Sequence, residues 1–332
     1  MEHRMAPPTL RIAGTGRYLP ETTLENGAFA ALAGLTDDWI VQRTGVRSRR
    51  VAGPDEGTAA LGARAAERAL TSAGLAPGDV ALLVVATSTP DHLTPPTSCE
   101  IQAAIGAHAA ACFDLEAGFA GWLHALVVAS ALVRTGVAAN ALVVGADELS
   151  TITDRADPAT GPLFGDGAGA VLLAPGDGPI TLGPTSWWAD GRLAGALERP
   201  AGGARRPFDA EVLAQRAHLL KMEGTKLFRH SVRTMAEQAR SALGRAGLAV
   251  ADVDLVVPHQ ANLRILTAFA EEVGVPIDRV FVNLDRYGNT GSATIPIALD
   301  EAREQGRLHG NVLLVSFGAG ATAGAALLAA RG

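Results

Sequence analysis

The sequence predicts an α/β protein made of two similar halves, and three observations carry that prediction. Short apolar strand candidates alternate with helix candidates along the chain. The strands are continuously apolar, as strands are when helices cover both faces of a sheet. One helix–turn–strand unit also recurs: residues 66–84 overlay residues 239–257 at an offset of 173, with 11 identities in 19 positions. Ala66, Ala69, Leu70, Ala73, Gly74, Leu75 and Ala76 return as Ala239, Ala242, Leu243, Ala246, Gly247, Leu248 and Ala249. Asp79, Val80, Leu82 and Val84 return as Asp252, Val253, Leu255 and Val257. Each copy reads as an amphipathic helix, a glycine stop, a short acidic turn and an apolar strand.

The elements follow in order. Helices are predicted over 58–73, 97–105 and 119–135, then over 211–246, 262–273 and 292–305. Strands are predicted over 81–87, 141–146, 168–173, 254–258 and 311–316, each short, apolar and bounded by turn residues. The stretch 183–210 is rich in Gly, Pro and Arg, holds Trp187 and Trp188, and lacks periodicity. It is expected to be a loop or a cap over a pocket. The duplication divides the chain into an N-terminal half, 1–178, and a C-terminal half, 179–332.

Composition excludes several function classes. A chain of 332 residues with 48% hydrophobic residues can bury a large core. Its formal charge of −6 argues against a general nucleic-acid binder, while leaving room for a local basic patch facing an acidic carrier protein or a phosphate-bearing coenzyme. Cys99 and Cys112 make neither a disulfide framework nor a metal site, and the histidines show no paired metal-ligand spacing. The polar, Pro-rich start, Met1 to Pro8, does not resemble a signal peptide. No apolar run reaches the roughly 18 residues of a membrane span. The expectation is a soluble cytoplasmic protein with no metal.

Two motifs carry chemistry. Val256-Val257-Pro258-His259-Gln260-Ala261-Asn262 puts a histidine just after an apolar strand. Tyr287-Gly288-Asn289-Thr290-Gly291-Ser292 puts an asparagine in a glycine-flanked turn. Two hydrogen-bond donors at the ends of buried elements suit the stabilisation of a developing oxyanion, and such a pair normally serves a nucleophile. Taken singly, His259 also reads as a core histidine and Asn289 as a turn residue. Phe164-Gly165-Asp166-Gly167-Ala168-Gly169-Ala170 reads as close-packed structural glycine, and Gly14-Thr15-Gly16 lacks the third glycine of a dinucleotide fingerprint.

With these segments stand Phe113-Asp114-Leu115-Glu116-Ala117-Gly118-Phe119-Ala120-Gly121-Trp122, Asp38-Trp39-Ile40-Val41-Gln42-Arg43-Thr44-Gly45-Val46 and Ser316-Phe317-Gly318-Ala319-Gly320. From about Leu10 to Leu328 the chain resembles the β-ketoacyl-acyl carrier protein synthase III family of condensing enzymes. It is most similar to the variants that choose starter units or transfer acyl groups in polyketide pathways. The resemblance implies the five-layered αβαβα thiolase fold, with the active site between two duplicated halves. It implies acyl-CoA and malonyl-acyl carrier protein as thioester substrates, no permanently bound cofactor, and a homodimer.

The resemblance also assigns roles. His259 and Asn289 hydrogen-bond a malonyl thioester carbonyl and stabilise its enolate, and the turn at Gly318 and Ala319 forms an oxyanion hole. Trp39 and Arg43 hold the adenine of coenzyme A, and Arg264 lies at the tunnel mouth near coenzyme and carrier. A further coenzyme-contacting arginine is replaced by Pro158, with Arg155 nearby but out of register. Thr94 stands at the substrate gate, on the loop Asp91-His92-Leu93-Thr94-Pro95-Pro96 that reaches the partner subunit. Phe119 occupies the place of the nucleophilic cysteine and has no nucleophilic atom. Cys112, in an apolar run, is expected to be a buried structural thiol, and Cys99 and Glu116 do not replace the nucleophile. Phe119 as a replacement of a parental cysteine implies a condensing enzyme whose covalent acylation is abolished. Phe119 as a native residue implies a malonyl decarboxylase or a non-elongating acyltransferase without a covalent intermediate. A catalytically silent partner subunit of an active paralogue is the non-enzymatic alternative.

Overall fold

The computed structural model describes residues 8–331. Residues 1–7 of the Met1–Pro8 stretch lie outside the described residues. Nine strands form the main sheet: β1 (Leu10–Tyr18), β2 (Leu82–Ala86), β3 (Ala111–Leu115), β4 (Ala141–Glu148), β5 (Asp166–Pro175), β6 (Ile180–Trp188), β7 (Val253–Pro258), β8 (Gly310–Gly318) and β9 (Thr322–Ala330). The principal helices are α1 (Asp37–Thr44), α2 (Thr58–Ala73), α3 (Thr97–Ile105), α4 (Gly121–Arg134), α5 (Gly224–Ala246), α6 (Leu263–Val273) and α7 (Thr294–Glu304).

The strand order is β7-β8-β9-β6-β1-β5-β4-β2-β3. The strands of the two wings pair with each other through a short antiparallel β6/β1 contact, in which Leu10 faces Leu182 and Arg11 faces Thr181. Side chains alternate across each strand and so sort into layers. In β2, Leu83 and Val85 face α2 and α3, while Leu82, Val84 and Ala86 face α4 and α7. In β8, Val312 and Leu314 face the same central helices, while Leu313 and Val315 face α5 and α6. The result is helix, sheet, helix, sheet, helix: the thiolase arrangement, with α4 and α7 in the buried middle.

Both copies of the internal repeat take one form. Helix α2 ends at Gly74 (φ 66°) and α5 at Gly247 (φ 69°), each in the left-handed conformation that a glycine C-cap supplies. A single 3₁₀ turn follows each, at Pro77–Asp79 and Val250–Asp252, and then β2 or β7, each with a parallel neighbour. Gly14 and Gly16 are structural, since a Cβ on either would strike the backbone of α2. Gly169 is structural too, because a Cβ there would come within 2.7 Å of the Ile297 nitrogen in α7.

Three expectations are corrected. Residues 183–188 are not loop but the second part of β6. Gly183 and Pro184 hide it, because they sit where the β9/β6 register shifts; proline is tolerated at such an irregularity. Of the rest of 183–210, Leu197 reaches the wall of the central cavity. The helix expected over 211–246 is broken into Ala210–Ala214 and α5. Between them Arg216 turns left-handed (φ 53°) and its guanidinium binds Asp154 at 2.6 Å, while Lys221–Met222 pairs with Leu197–Glu198 as a small ribbon. Finally, Cys112 is half-buried on the edge strand β3 rather than buried, with its Sγ 3.6 Å from that of Cys99. Burial against neighbouring groups pushes its thiol up, and it lines neither cavity described below. No helix among the described residues is long and apolar enough to cross a membrane.

Candidate active site

The buried helix α4 starts at Gly121, and Phe119 lies in the turn just before it. That turn is held by close backbone contact with the turn after β8. A Cβ on Gly118 (φ 54°) would lie 2.6 Å from the Ala319 nitrogen, and one on Gly318 would lie 2.5 Å from the Phe119 nitrogen. Only glycine permits that approach. The Ser316 hydroxyl adds a hydrogen bond to the Phe119 carbonyl at 3.2 Å. The helix N-terminus and the glycine-rich turn therefore meet, with free backbone N–H groups at the start of α4.

The Phe119 side chain is 6% exposed and packs among Leu149, Ile152, Phe164, Leu197 and Leu220. Its ring meets Phe164 edge-on at 5.7 Å between centroids, and the His259 imidazole lies 5.8 Å away on the other side. An apolar ring thus lines the site between Phe164 and His259.

His259 follows β7, and its backbone N–H binds the Val315 carbonyl at 2.8 Å. Its Nδ1 lies 2.6 Å from the Thr294 hydroxyl at the start of α7. Burial alone pushes the imidazole down to about 3, so it is neutral at physiological pH. Asn289 is pinned from both sides: its N–H binds the Leu163 carbonyl at 2.9 Å and its carbonyl accepts from Gly165 at 3.0 Å. Its Oδ1 accepts from the Gly291 N–H at 2.9 Å. The amide NH₂ is left as the donor it can offer to a ligand.

His259, Asn289, Phe119 and Gly318 line one cavity of about 140 Å³. A second cavity, of about 400 Å³, adjoins the first and shares Leu163, Met222, Gly224, Phe228 and Asn262 with it. Trp39, Arg43 and Arg264 line this second cavity. The Arg43 guanidinium stacks on Trp39 at 4.9 Å from the ring centre. Pro158 is on this wall where the resemblance calls for an arginine, and Arg155 is absent from it; Arg229 supplies a guanidinium instead.

The structure therefore brings His259, Asn289, Phe119 and Gly318 together, with Ala319 packed against them, and puts Trp39, Arg43 and Arg264 on the adjoining cavity. It does not bring Thr94 there. That residue sits in the exposed loop 91–96, outside both cavities of its own chain. Sequence reasoning missed Arg229 and Thr294, and it also missed the α5 face made by Gly224, Leu227, Phe228, Ser231 and Met235. The spacing of that face is helical and could have revealed it. Among the described residues no cluster of three or more His, Cys, Asp or Glu side chains could hold a metal ion.

Comparison with known proteins agrees with this geometry. Residues 113–191 match the 3-oxoacyl-[acyl-carrier-protein] synthase III family, and residues 243–330 match its C-terminal family. The chain is 46% identical over 319 residues to the β-ketoacyl-[acyl-carrier-protein] synthase III of Roseiflexus castenholzii, covering 96% of this chain and 97% of that one. Its fold matches the Thermus thermophilus synthase III structure with a TM-score of 0.88 at 42% identity, covering 96% of this chain and 98% of that one. It matches the priming β-ketosynthase of the R1128 polyketide pathway with a TM-score of 0.90 at 36% identity, covering 99% of each chain. With its thiolase fold and these relatives, the chain belongs to the β-ketoacyl-[acyl-carrier-protein] synthase III family.

Proposed function

We propose that this chain performs carbonyl chemistry on a malonyl thioester of coenzyme A or acyl carrier protein without forming an acyl-enzyme. The observation that carries the reading is the pairing of an intact donor set with an apolar ring. His259 and Asn289 line the cavity, while the Phe119 ring occupies the apolar site beside them. A phenyl ring cannot attack a thioester, and here it forms part of the apolar wall of the cavity. It resembles the apolar part of an acyl group already in place.

Decarboxylation is the reaction such a site favours. The bond between the malonyl α-carbon and its carboxylate breaks and CO₂ leaves. The electron pair moves onto the α-carbon and the thioester oxygen. His259 and Asn289 donate hydrogen bonds to that oxygen and so stabilise the enolate. Protonation of the α-carbon by water gives the acetyl thioester, so the step needs no oxidant and no second acyl group. Arg43, Arg229 and Arg264 supply positive charge at the second cavity for the phosphates of coenzyme A or of a carrier's prosthetic arm.

The working unit is proposed to be a homodimer. Strand β3 is the sheet edge and its residues are half-buried or exposed, while Leu93 on the neighbouring loop is 85% exposed. The exposed loop 91–96, which carries Thr94, is the segment that the resemblance directs toward the partner subunit.

The test is product analysis with malonyl-acyl carrier protein and malonyl-CoA. Acetyl thioester should form, and His259→Ala or Asn289→Ala should slow it by about 10²–10³, the loss typical for one oxyanion donor. No turnover alone, with turnover recovered only on adding an active paralogue, would establish the silent-partner alternative instead.

A further inference from the structure

The Thr294 hydroxyl is the contact of the His259 ring on the side away from the cavity, and it has one proton to give. Two acceptors compete for it: the imidazole Nδ1 at 2.6 Å and the Gly291 carbonyl at 3.1 Å. Giving the proton to Nδ1 leaves the ring proton on Nε2, so His259 presents a donor to the cavity. Giving it to Gly291 makes Nδ1–H the donor to Thr294, so the cavity receives a bare Nε2 lone pair. The two arrangements serve opposite chemistry. The first stabilises an oxyanion; the second abstracts a proton.

We propose that Thr294 is the positioning residue that holds His259 as the Nε2–H tautomer, by donating its hydroxyl proton to Nδ1. Three observations favour this arrangement. The Gly291 carbonyl lies 3.1 Å from the hydroxyl, beyond the about 2.5–3.0 Å of an O–H···O bond, whereas Nδ1 lies at 2.6 Å. The Gly291 carbonyl already accepts the Thr294 backbone N–H, so it does not need the hydroxyl. Both side chains are 2% exposed, so no bulk water competes for either atom. Thr294 is fixed in turn by its place at the start of the buried helix α7. Its role is to orient; it does not line the cavity.

The catalytic consequence rests on the carbonyl chemistry proposed above, but the tautomer does not, and the experiment separates them. Protein labelled with ¹⁵N-histidine is studied by two-bond ¹H–¹⁵N correlation, with the His259 signals assigned by their loss in His259→Ala. The wild type and Thr294→Ser should show a single Nε2–H tautomer. Thr294→Val keeps the branched shape without the hydroxyl, and it should show a mixture of tautomers. A wild type in the Nδ1–H form overturns the proposal, as does a Thr294→Val protein that keeps a single Nε2–H form. In the malonyl assay Thr294→Val should lose about tenfold or more in kcat with KM little changed, and Thr294→Ser should restore the rate. If the wild type proves inert toward malonyl thioesters, the functional reading fails while the tautomer result still decides the role of Thr294.

Discussion

Replacing Phe119 with cysteine should convert this site into one that is acylated. The variant puts a thiol at the N-terminus of α4, where the helix dipole and free N–H groups favour thiolate. It also empties a packed pocket. The ring is 6% exposed and makes an edge-on contact with Phe164, so its loss should cost about 3 kcal/mol, the low end for deleting a buried aromatic, since the sulfur keeps some contacts. Unfolding entropy of about 2.1 cal/mol/K per residue over 332 residues is about 0.7 kcal/mol/K. The Tm should therefore fall by about 4 °C. Acylation by butyryl-CoA would return three apolar carbons to the space. At about 0.8 kcal/mol each, they should restore about 2.4 kcal/mol, or about 3 °C. Calorimetry with and without butyryl-CoA, paired with intact-mass measurement, reads both effects. A folded, coenzyme-binding variant that gains no mass refutes the assignment of position 119 as the nucleophile site. A mass gain without recovery of Tm refutes the claim that the phenyl ring occupies the acyl pocket.

Two further outcomes follow from the same geometry. Trp39→Ala removes the surface on which Arg43 stacks and should weaken coenzyme A binding about tenfold, equivalent to about 1.4 kcal/mol, by isothermal titration calorimetry; unchanged affinity contradicts the adenine clamp. Buried His259 has a folded pKa of about 3 against about 6.5 in the unfolded chain. The unfolded state then binds more protons between those values, so this group lowers stability as pH falls below about 6.5 and has little effect above it. Between pH 7 and pH 5 the loss should be about 2 kcal/mol in urea unfolding, and it should disappear in His259→Gln; an equal pH slope in that variant contradicts neutral burial.

Much of the fold is written locally. The AGLA stop and the Asp-Val turn specify both repeats because a left-handed glycine C-cap has few substitutes. The Pro-His-Gln-Ala-Asn and Gly-Asn-Thr-Gly motifs are legible for the same reason: each fixes one side chain at the end of a buried strand or turn. What escapes the sequence is set by distant partners. Strand β6 looks like loop because Gly183 and Pro184 break its pattern, yet β9 holds it across a register shift. The break before α5 carries no proline; there the Leu220 N–H binds the distant Ile152 carbonyl and Arg216 pairs with Asp154. Arg229 joins Trp39, Arg43 and Arg264 on the wall of the second cavity only once α5 starts at Gly224. The role of Thr294 depends on a contact 35 residues away in sequence, which no local pattern encodes.

The central claim is that His259 and Asn289 act on a thioester carbonyl while no residue becomes acylated. It is tested most directly by following wild-type protein with malonyl-acyl carrier protein carrying an isotopic label in the free carboxylate. Labelled CO₂ should be released while the intact mass of the protein stays constant throughout turnover. A mass gain of one acyl group, or no release of labelled CO₂ by the folded protein, would contradict the account.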